Sequence, residues 1–227
     1  MTHLDWLMRT FSCSTRLRIL AFILHAPPDV RGVCPSDIAR HLGVSAPLVS
    51  YHLKSLLRAR LVRYWKKAVL KFYRPSRLRS GSLRDRLCLI VQTQIPRDCA
   101  LSPAASQTPG SDSAEQQARR TAHIVPPRTP LEPLWMALTC FSHFRRLLMI
   151  HHLLRHAHAS KTELTRVMDL HPLTVAYHVD KLTRRGALLL DPKGYRLAAG
   201  QPNPVQAAVW RCLCDALSRM SRPAETP

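Results

Sequence analysis

The sequence predicts a mainly α-helical protein with small β-hairpin wings, organised as two similar domains within one chain of 227 residues. Three observations indicate this fold class. The stretch from Pro35 to Tyr73 has the pattern of a helix, a tight turn, a second helix and a β-hairpin. Parts of the first half recur 126–130 residues later in the second half. Between the halves, residues 97–130 are rich in Ala, Ser, Gln and Pro without an apolar period, which predicts a flexible linker.

The first helix of this stretch has start and stop signals at both ends. Cys34 occupies the N-cap position, Pro35 the first helical position, and Asp37 the first turn, where a negative charge suits the helix dipole. Gly43 ends the helix, and Ser45 caps the next helix after a short turn. These signals predict a pair of helices joined by a tight turn.

The second helix is amphipathic, and a hairpin follows it. Its apolar positions are Leu48, Val49, Leu53 and Leu56, and its opposite face carries Ser50, Tyr51, Lys54, Ser55 and Arg58. We expect two strands, Leu61–Trp65 and Val69–Tyr73, joined around Lys66 and Lys67. A helix-turn-helix with such a β-wing can place its second helix in the DNA major groove, while the wing presents cations to phosphates.

The charge balance points to a polyanionic partner. The formal net charge is +20, and no Asp or Glu occurs between Asp37 and Asp85, while Lys and Arg recur throughout. An ordinary solvated surface mixes both signs, whereas a surface of one sign is typical of nucleic-acid binding. The sequence therefore predicts double-stranded DNA as the first partner, RNA as the second and an anionic membrane as a distant third.

The helix-turn-helix residues resemble those of a known family. Leu42–Ser45 and Val49–Lys54, followed by Leu56 and Leu61-Val62, are similar to the ArsR family of winged-helix bacterial repressors. The resemblance implies a winged helix-turn-helix that regulates transcription. Members of this family are typically dimeric, and many release DNA when cysteines or histidines bind metal or react with sulfur or oxidants.

An internal repeat predicts a second winged helix-turn-helix. Phe11-Ser12 recurs as Phe141-Ser142, and Tyr51-His52 recurs as Tyr177-His178. We expect domains at residues 1–96 and 131–221, joined by the linker at 97–130. In the second domain a recognition helix would run over Pro172–Arg185, before strands at 187–190 and 195–197. One chain would then act as a pseudo-dimer, and a homodimer of chains is the alternative.

The candidate DNA contacts follow from these positions. Near bases or adjacent phosphates we expect Ser45, Ser50, Tyr51 and Lys54, and on phosphates Arg58, Arg63, Lys66, Lys67 and Lys71. In the second domain the corresponding candidates are His171, Thr174, Tyr177, Lys181, Arg184 and Lys193. The second domain is less basic, because Asp169, Asp180 and Asp191 lie on it.

The seven cysteines predict free or reactive thiols rather than structural disulfides. Cys34 at an N-cap is placed where a thiolate is favoured. Metal-sensing relatives carry Cys-x-Cys here, whereas this chain has Ser36 in the second position. It is closer to sulfide-responsive relatives, whose second cysteine lies on the C-terminal helix; Cys88 or Cys99 could take that part. Simple packing of the thiols is the alternative.

Metal and enzyme signals are weak. The pairs Cys212/Cys214 and His152/His156 are candidate metal ligands. Core packing is the alternative for the cysteines, and a favourable place at a helix C-terminus is the alternative for the histidines, so we assign no cofactor. No GxSxG, P-loop, GxGxxG or HExxH motif occurs, so we expect no enzyme activity. No apolar run approaches the roughly 18 residues that span a bilayer and the N-terminus lacks a signal-peptide pattern, so we expect a cytoplasmic protein.

Three other functions stay open from the sequence. The chain could be a metal-responsive repressor rather than a thiol-responsive one. It could bind RNA or DNA without sequence preference, as an architectural protein does. Its second domain could be a protein-interaction module that no longer reads DNA.

Overall fold

The structure, a computed structural model, describes residues 2–27, 32–77, 81–95, 131–198 and 204–220. These residues form two compact units. The N unit contains those from Thr10 to Trp135, and the C unit contains those up to Arg9 together with those from Met136 onward. The predicted linker at 97–130 lies outside the described residues, and the domain boundaries 1–96 and 131–221 stay a prediction.

The described residues are mainly helical, with two small sheets. The elements of the first half are α1 (Thr2–Phe11), α2 (Ser14–Leu24), α3 (Pro35–Leu42), α4 (Ala46–Arg58), β1 (Val62–Lys67), β2 (Leu70–Pro75) and α5 (Leu83–Gln94). Those of the second half are α6 (Leu131–Cys140), α7 (Phe144–His156), β3 (His158–Ala159), α8 (Lys161–Met168), α9 (Pro172–Arg184), β4 (Leu188–Asp191), β5 (Gly194–Leu197) and α10 (Pro204–Met220). Among these helices, none combines the length and the hydropathy that crossing a membrane requires.

Helices α3 and α4 form the predicted helix-turn-helix. Cys34 is the N-cap of α3 and Pro35 its first residue, and Gly43 ends the helix in the left-handed region at φ +64°. The N–H of Val44 donates to the carbonyl of Ala39 across this end. α4 begins one residue after the N-cap Ser45. The buried positions of both helices face a common core, which leaves the opposite side of α4 exposed.

The hairpin corrects the predicted strands. β1 and β2 pair from Val62 with Pro75 to Lys67 with Leu70, so the turn is Ala68-Val69 rather than Lys66-Lys67. The aromatic residues explain this register, because it places Trp65 opposite Phe72 and Tyr64 opposite Tyr73. Lys66 and Lys67 are therefore the last residues of a strand.

The hairpin and α5 are both anchored to the body of the N unit. Val33 and Tyr73 exchange two backbone hydrogen bonds, of 3.0 and 2.8 Å. Gln92 Nε2 donates to the carbonyl of Leu24 at 3.3 Å, which ties α5 to the end of α2. The hairpin is thus held at its base, while its far end extends beyond the core.

The C unit has a similar order of elements. Ser160 Oγ accepts a hydrogen bond from the N–H of Glu163 and so caps the start of α8. Asp169 ends α8 in the left-handed region at φ +48°, a conformation that Asp tolerates better than most residues. β3 joins the hairpin, giving a three-stranded sheet of order β3-β5-β4.

Candidate nucleic-acid interface

The exposed face of α4 carries the residues predicted to approach bases. Ser45, Ser50, Tyr51 and Lys54 are all exposed, and Tyr51 retains 64% of its possible exposure. The hydroxyl of Ser45 makes no capping hydrogen bond, although the residue occupies the N-cap position. This face therefore presents short polar donors and acceptors, an aromatic ring and a cation to the solvent.

The predicted phosphate contacts lie at the end of α4 and along the hairpin. Arg58, Arg63, Lys66, Lys67 and Lys71 are exposed. None of them makes an ion pair with a described residue, and no carboxylate occurs in the sequence from residue 38 to residue 84. Because α4 packs against β1, one cationic surface continues from the helix onto the hairpin. We call this the α4–hairpin surface.

Aromatic rings stiffen the hairpin and pair with its cations. Trp65 stacks on Phe72 with ring centroids 6.0 Å apart. The guanidinium of Arg74 lies 4.8 Å from the Trp65 ring centroid, and Lys71 Nζ lies 5.6 Å from the Tyr64 ring centroid. These contacts orient the cations on both faces of the hairpin.

Two exposed apolar residues at the hairpin tip were not predicted to be functional. Val69 is 94% exposed and Leu70 is 53% exposed. Sequence reasoning missed them because it placed the turn at Lys66-Lys67 and treated Val69 as the start of a strand. The signal that could have found them is the aromatic pairing, which fixes the turn two residues later.

His52 lies on the opposite side of α4 from the exposed Tyr51. It is buried, and neither ring nitrogen has a hydrogen-bond partner among the described residues. Burial, with a smaller contribution from the charge of Arg16, lowers the pKa of His52 to about 4. His52 is therefore a neutral packing residue at pH 7.

In the C unit, most of the predicted DNA contacts already have partners. Lys181 Nζ donates to the hydroxyl of Tyr177 at 3.1 Å, and this contact lowers the pKa of Tyr177. Arg184 pairs with Asp180 at 3.0 Å. Asp180 offsets the charge of Arg184, whereas the α4–hairpin surface has no carboxylate.

The remaining candidates sit at the ends of elements. His171 is exposed, and its Nδ1 accepts the N–H of Leu173, so the ring caps α9. Lys193 is exposed in the β4–β5 turn, beside an acidic neighbour, and Thr174 is half-buried. The carboxylate of Asp191 pairs with both His158 and Arg196, at 3.0 and 3.1 Å. The tip of this hairpin therefore carries a carboxylate beside its cations, which the β1–β2 hairpin lacks.

The cysteines predicted to sense oxidants occupy different environments. The thiol of Cys34 donates to Asp37 Oδ2 at 2.8 Å and lies 2.9 Å from Ser36 Oγ. Burial, with the carboxylate of Asp85 nearby, raises the pKa of Cys88 to about 12, so this thiol is protonated at neutral pH. Cys99 lies outside the described residues. The six described cysteines are all outside disulfides.

The weak metal candidates do not form a complete site. His152 and His156 lie side by side on α7, with ring centroids 4.4 Å apart, next to a cavity of about 280 Å³. Cys212 is buried, and burial raises the pKa of Cys214 to about 12. Within the described ranges, no group of three or more His, Cys, Asp or Glu is arranged to hold a metal ion.

Comparison with known proteins finds a family match within the N unit. Residues 13–64 match the family model described as "Bacterial regulatory protein, arsR family". The match extends from Cys13, ahead of α2, to Tyr64 in β1, and so includes α3 and α4. No curated protein and no solved structure matches the chain significantly. Residues 13–64 are thus an ArsR-family helix-turn-helix domain, the kind of domain with which a transcriptional regulator binds DNA.

Proposed function

We propose that this chain, whose residues 13–64 form an ArsR-family helix-turn-helix domain, is a sequence-specific DNA-binding repressor of transcription that acts in the cytoplasm. One observation carries the proposal. The α4–hairpin surface displays hydroxyls, an exposed tyrosine and unpaired cations, with no carboxylate among them. A protein that occupies a promoter through this surface excludes other proteins from it, and repression is therefore the direction we propose.

The proposed division of labour follows from position on the surface. α4 enters the major groove, where Ser45, Ser50, Tyr51 and Lys54 approach base edges. The cations at the end of α4 and on the hairpin hold phosphates on either side: Arg58, Arg63, Lys66, Lys67 and Lys71. Phosphate contacts supply affinity and register, whereas base contacts supply sequence preference.

Two pairs of substitutions on the full chain test this division. Lys66→Ala with Lys67→Ala should weaken binding to a preferred duplex and to a random duplex by the same factor. The slope of log affinity against log salt should fall by about 0.9 for each lost phosphate contact. Ser50→Ala or Tyr51→Ala should instead reduce the preference for the selected duplex, with little change of salt slope. Fluorescence anisotropy titrations at several salt concentrations measure both quantities.

Lys181→Ala with Arg184→Ala is the matched control in the C unit. Both cations already contact neighbouring side chains, so their loss should change affinity and salt slope less than the loss of Lys66 and Lys67. If every variant loses the same affinity on selected and random duplexes, α4 does not read bases, and binding without sequence preference replaces the proposal.

We also propose that residues 131–221 are a divergent second copy of residues 1–96, joined through 97–130 into a pseudo-dimer. The tyrosine–histidine pairs support this proposal. Tyr51 and His52 have ring centroids 5.3 Å apart at 67°, and Tyr177 and His178 have centroids 5.3 Å apart at 70°. A homodimer of such chains is the alternative assembly.

The helix ends support the same duplication. α3 ends at Gly43 and α8 at Asp169, both in the left-handed region. α4 and α9 are each followed by a residue of positive φ, Arg60 and Gly186. Equivalent ends at equivalent places favour descent from one winged helix, even where the residue type differs.

A specific observation favours a second role for the C unit. Leu173 of α9 is 74% exposed and Leu190 of β4 is 66% exposed, while Arg184 and Arg196 are paired with carboxylates. Exposed apolar side chains together with paired charges suit a protein partner better than DNA. The second candidate function is therefore a protein-interaction module in the C unit, attached to a DNA-reading N unit.

We propose that a thiol switch at Cys34 controls DNA binding. The residue is the N-cap of α3, which packs against α4, so a bulkier or charged sulfur at this position would disturb the reading helix. Polysulfide should lower the affinity of the reduced protein for its duplex, and a reductant should restore it. Cys34→Ser should bind DNA and ignore polysulfide. An equal response of this variant would remove Cys34 from the proposal, and a metal-responsive switch would then be the alternative.

A further inference from the structure

The tip of the β1–β2 hairpin combines exposed apolar side chains with closely spaced positive charges. Val69 is almost fully exposed, and Leu70 beside it is half-exposed. Three exposed lysines surround them: Lys66 and Lys67 at the end of β1 and Lys71 near the start of β2. The tip is thus an apolar knob within a ring of positive charge.

The structure holds this knob in a defined direction. The turn between the strands has only two residues, and the first of them, Ala68, has φ +51°. Below the turn, the Trp65–Phe72 stack stiffens the stem. At the base, the backbone of Tyr73 is bonded to Val33 of the body. A hairpin braced in this way projects its tip as a rigid point.

The lysines around the tip repel one another. Lys66 lies directly opposite Lys71 in the strand register, and like charges in that position destabilise a sheet. No carboxylate of the described residues pairs with either of them. An anionic partner that reaches both strands at once would relieve this repulsion.

We propose that Val69, with Leu70, enters the DNA minor groove as an apolar wedge and kinks the duplex, while the three lysines hold the phosphates on both walls. The proposal rests on the proposed DNA-binding function and adds a shape-dependent component to its specificity. The turn has only two residues, so a single apolar side chain leads the tip toward a groove about 6 Å wide. Apolar side chains that enter this groove unstack base steps and bend DNA by about 20–90°.

The second hairpin provides a matched control. Leu190 is an exposed apolar residue of the β4–β5 hairpin, but its neighbour Asp191 carries a negative charge paired with His158 and Arg196. Like Val69 it is exposed, although less fully, and it differs in its electrostatic surroundings. A Leu190→Ser variant removes an exposed apolar side chain without changing the β1–β2 tip.

The experiment measures bending and binding on the same duplex with the full chain. A duplex that carries a donor and an acceptor fluorophore at its ends reports bending by energy transfer, and anisotropy reports binding. We expect the wild-type protein to raise the transfer efficiency at saturation. Val69→Ser should abolish at least half of that rise, keep the salt slope and weaken affinity by about tenfold or less. Val69→Ile, which keeps an apolar side chain at the tip, should retain the rise, and Leu190→Ser should behave as wild type.

The possible failures are distinguishable. No salt-dependent DNA binding by the wild-type protein would overturn the proposed function and the wedge together. Normal binding with no bend, or with a bend that Val69→Ser leaves unchanged, would overturn the wedge alone. Vesicles containing phosphatidylglycerol form the last arm. If Val69→Ser loses binding to these vesicles while the DNA bend is unaffected, the tip is a lipid contact and the wedge is wrong. Because Val69 is exposed, all variants should unfold at the wild-type temperature.

Discussion

Two buried histidines follow the exposed tyrosines of α4 and α9. Burial lowers the pKa of His178 to about 4, and the nearby His143 and Arg146 add to this effect. His52 has a pKa lowered to about the same value, again mainly by burial. An unfolded histidine titrates near 6.5. Both side chains are therefore neutral in the folded protein at pH 7. In mild acid each gains a proton when the protein unfolds.

This difference predicts a loss of stability in acid. Between pH 6.5 and about 4, the unfolded chain binds more protons than the folded chain, so the free energy of unfolding falls as the pH falls. Each histidine contributes at most about 1.4 kcal/mol per pH unit to this slope. His52→Leu should leave the fold intact at pH 7.5 and make the slope shallower, because an apolar side chain has no proton to gain. Urea titrations at several pH values measure it.

The measurement also separates the histidines from other acid-sensitive groups. Carboxylates that are paired in the folded state, such as Asp191, have a lowered pKa, so protonating them lowers the free energy of unfolding only at a pH below the range of the histidines. An unchanged slope between pH 6.5 and 4.5 in His52→Leu would mean that the ring is solvated and that its burial does not govern acid stability.

At the level of single elements, α4 is followed by an arginine in a backbone conformation that favours glycine. Arg60 follows the C-cap of α4 at φ +52°, and its N–H donates to the carbonyl of Leu57. The N–H of Leu61 donates to Leu56, which completes the bonding pattern of a helix end that favours glycine. The corresponding residue after α9 is Gly186, at φ +67°.

Arg60→Gly should therefore stabilise the protein and weaken DNA binding. Relief of the left-handed strain should raise the free energy of unfolding by about 0.5–1 kcal/mol. The loss of an exposed cation next to Arg58 should lower the salt slope of DNA binding by up to about 0.9. Thermal unfolding and anisotropy titrations measure the two effects independently.

Arg60→Ala is the control that separates strain from charge. It removes the cation but keeps a β-carbon at the same positive φ, so its DNA binding should match that of Arg60→Gly while its stability stays near wild type. If the glycine variant is no more stable than the alanine variant, the helix end is unstrained and the arginine has no conformational cost.

At the scale of the whole molecule, the positive charge is distributed unevenly in its effect. The net charge of +20 belongs to the whole chain, and the cations of the α4–hairpin surface make no ion pair with a described residue. In the C unit, Arg184 forms an ion pair with Asp180, and Arg196 forms one with Asp191. The paired variants Lys66/Lys67 and Lys181/Arg184 measure this asymmetry directly. If the Lys66/Lys67 variant loses more affinity, the N unit supplies most of the DNA binding, and the C unit is then available for a protein partner.

Much of the fold could be predicted because its signals are local. The start of α3 after Cys34 and its end at Gly43 each depend on the chemistry of a few adjacent residues. The exposed face of α4 follows from helical periodicity alone. The matched family model in residues 13–64 agrees with the resemblance carried by the same residues.

The hairpin shows why the rest could not be predicted. Local turn preferences placed the turn at two lysines, but cross-strand pairing of Trp65 with Phe72 moved it to Ala68-Val69. Pairing joins residues that are distant along the chain, and a period of two gives no information on which partner each residue meets. The apolar tip, and the proposed wedge with it, became visible only with the register.

The sequence by itself determined the helix-turn-helix, the wing and the one-signed surface, because periodicity, caps and charge are properties of neighbouring residues. Only the tertiary structure decided which groups titrate and which charges are balanced. Cys88 is a protonated thiol and His52 a neutral base because of what surrounds them, and Arg184 is compensated because Asp180 lies within 3.0 Å. Desolvation and ion pairing depend on three-dimensional neighbours, and the fold alone supplies them.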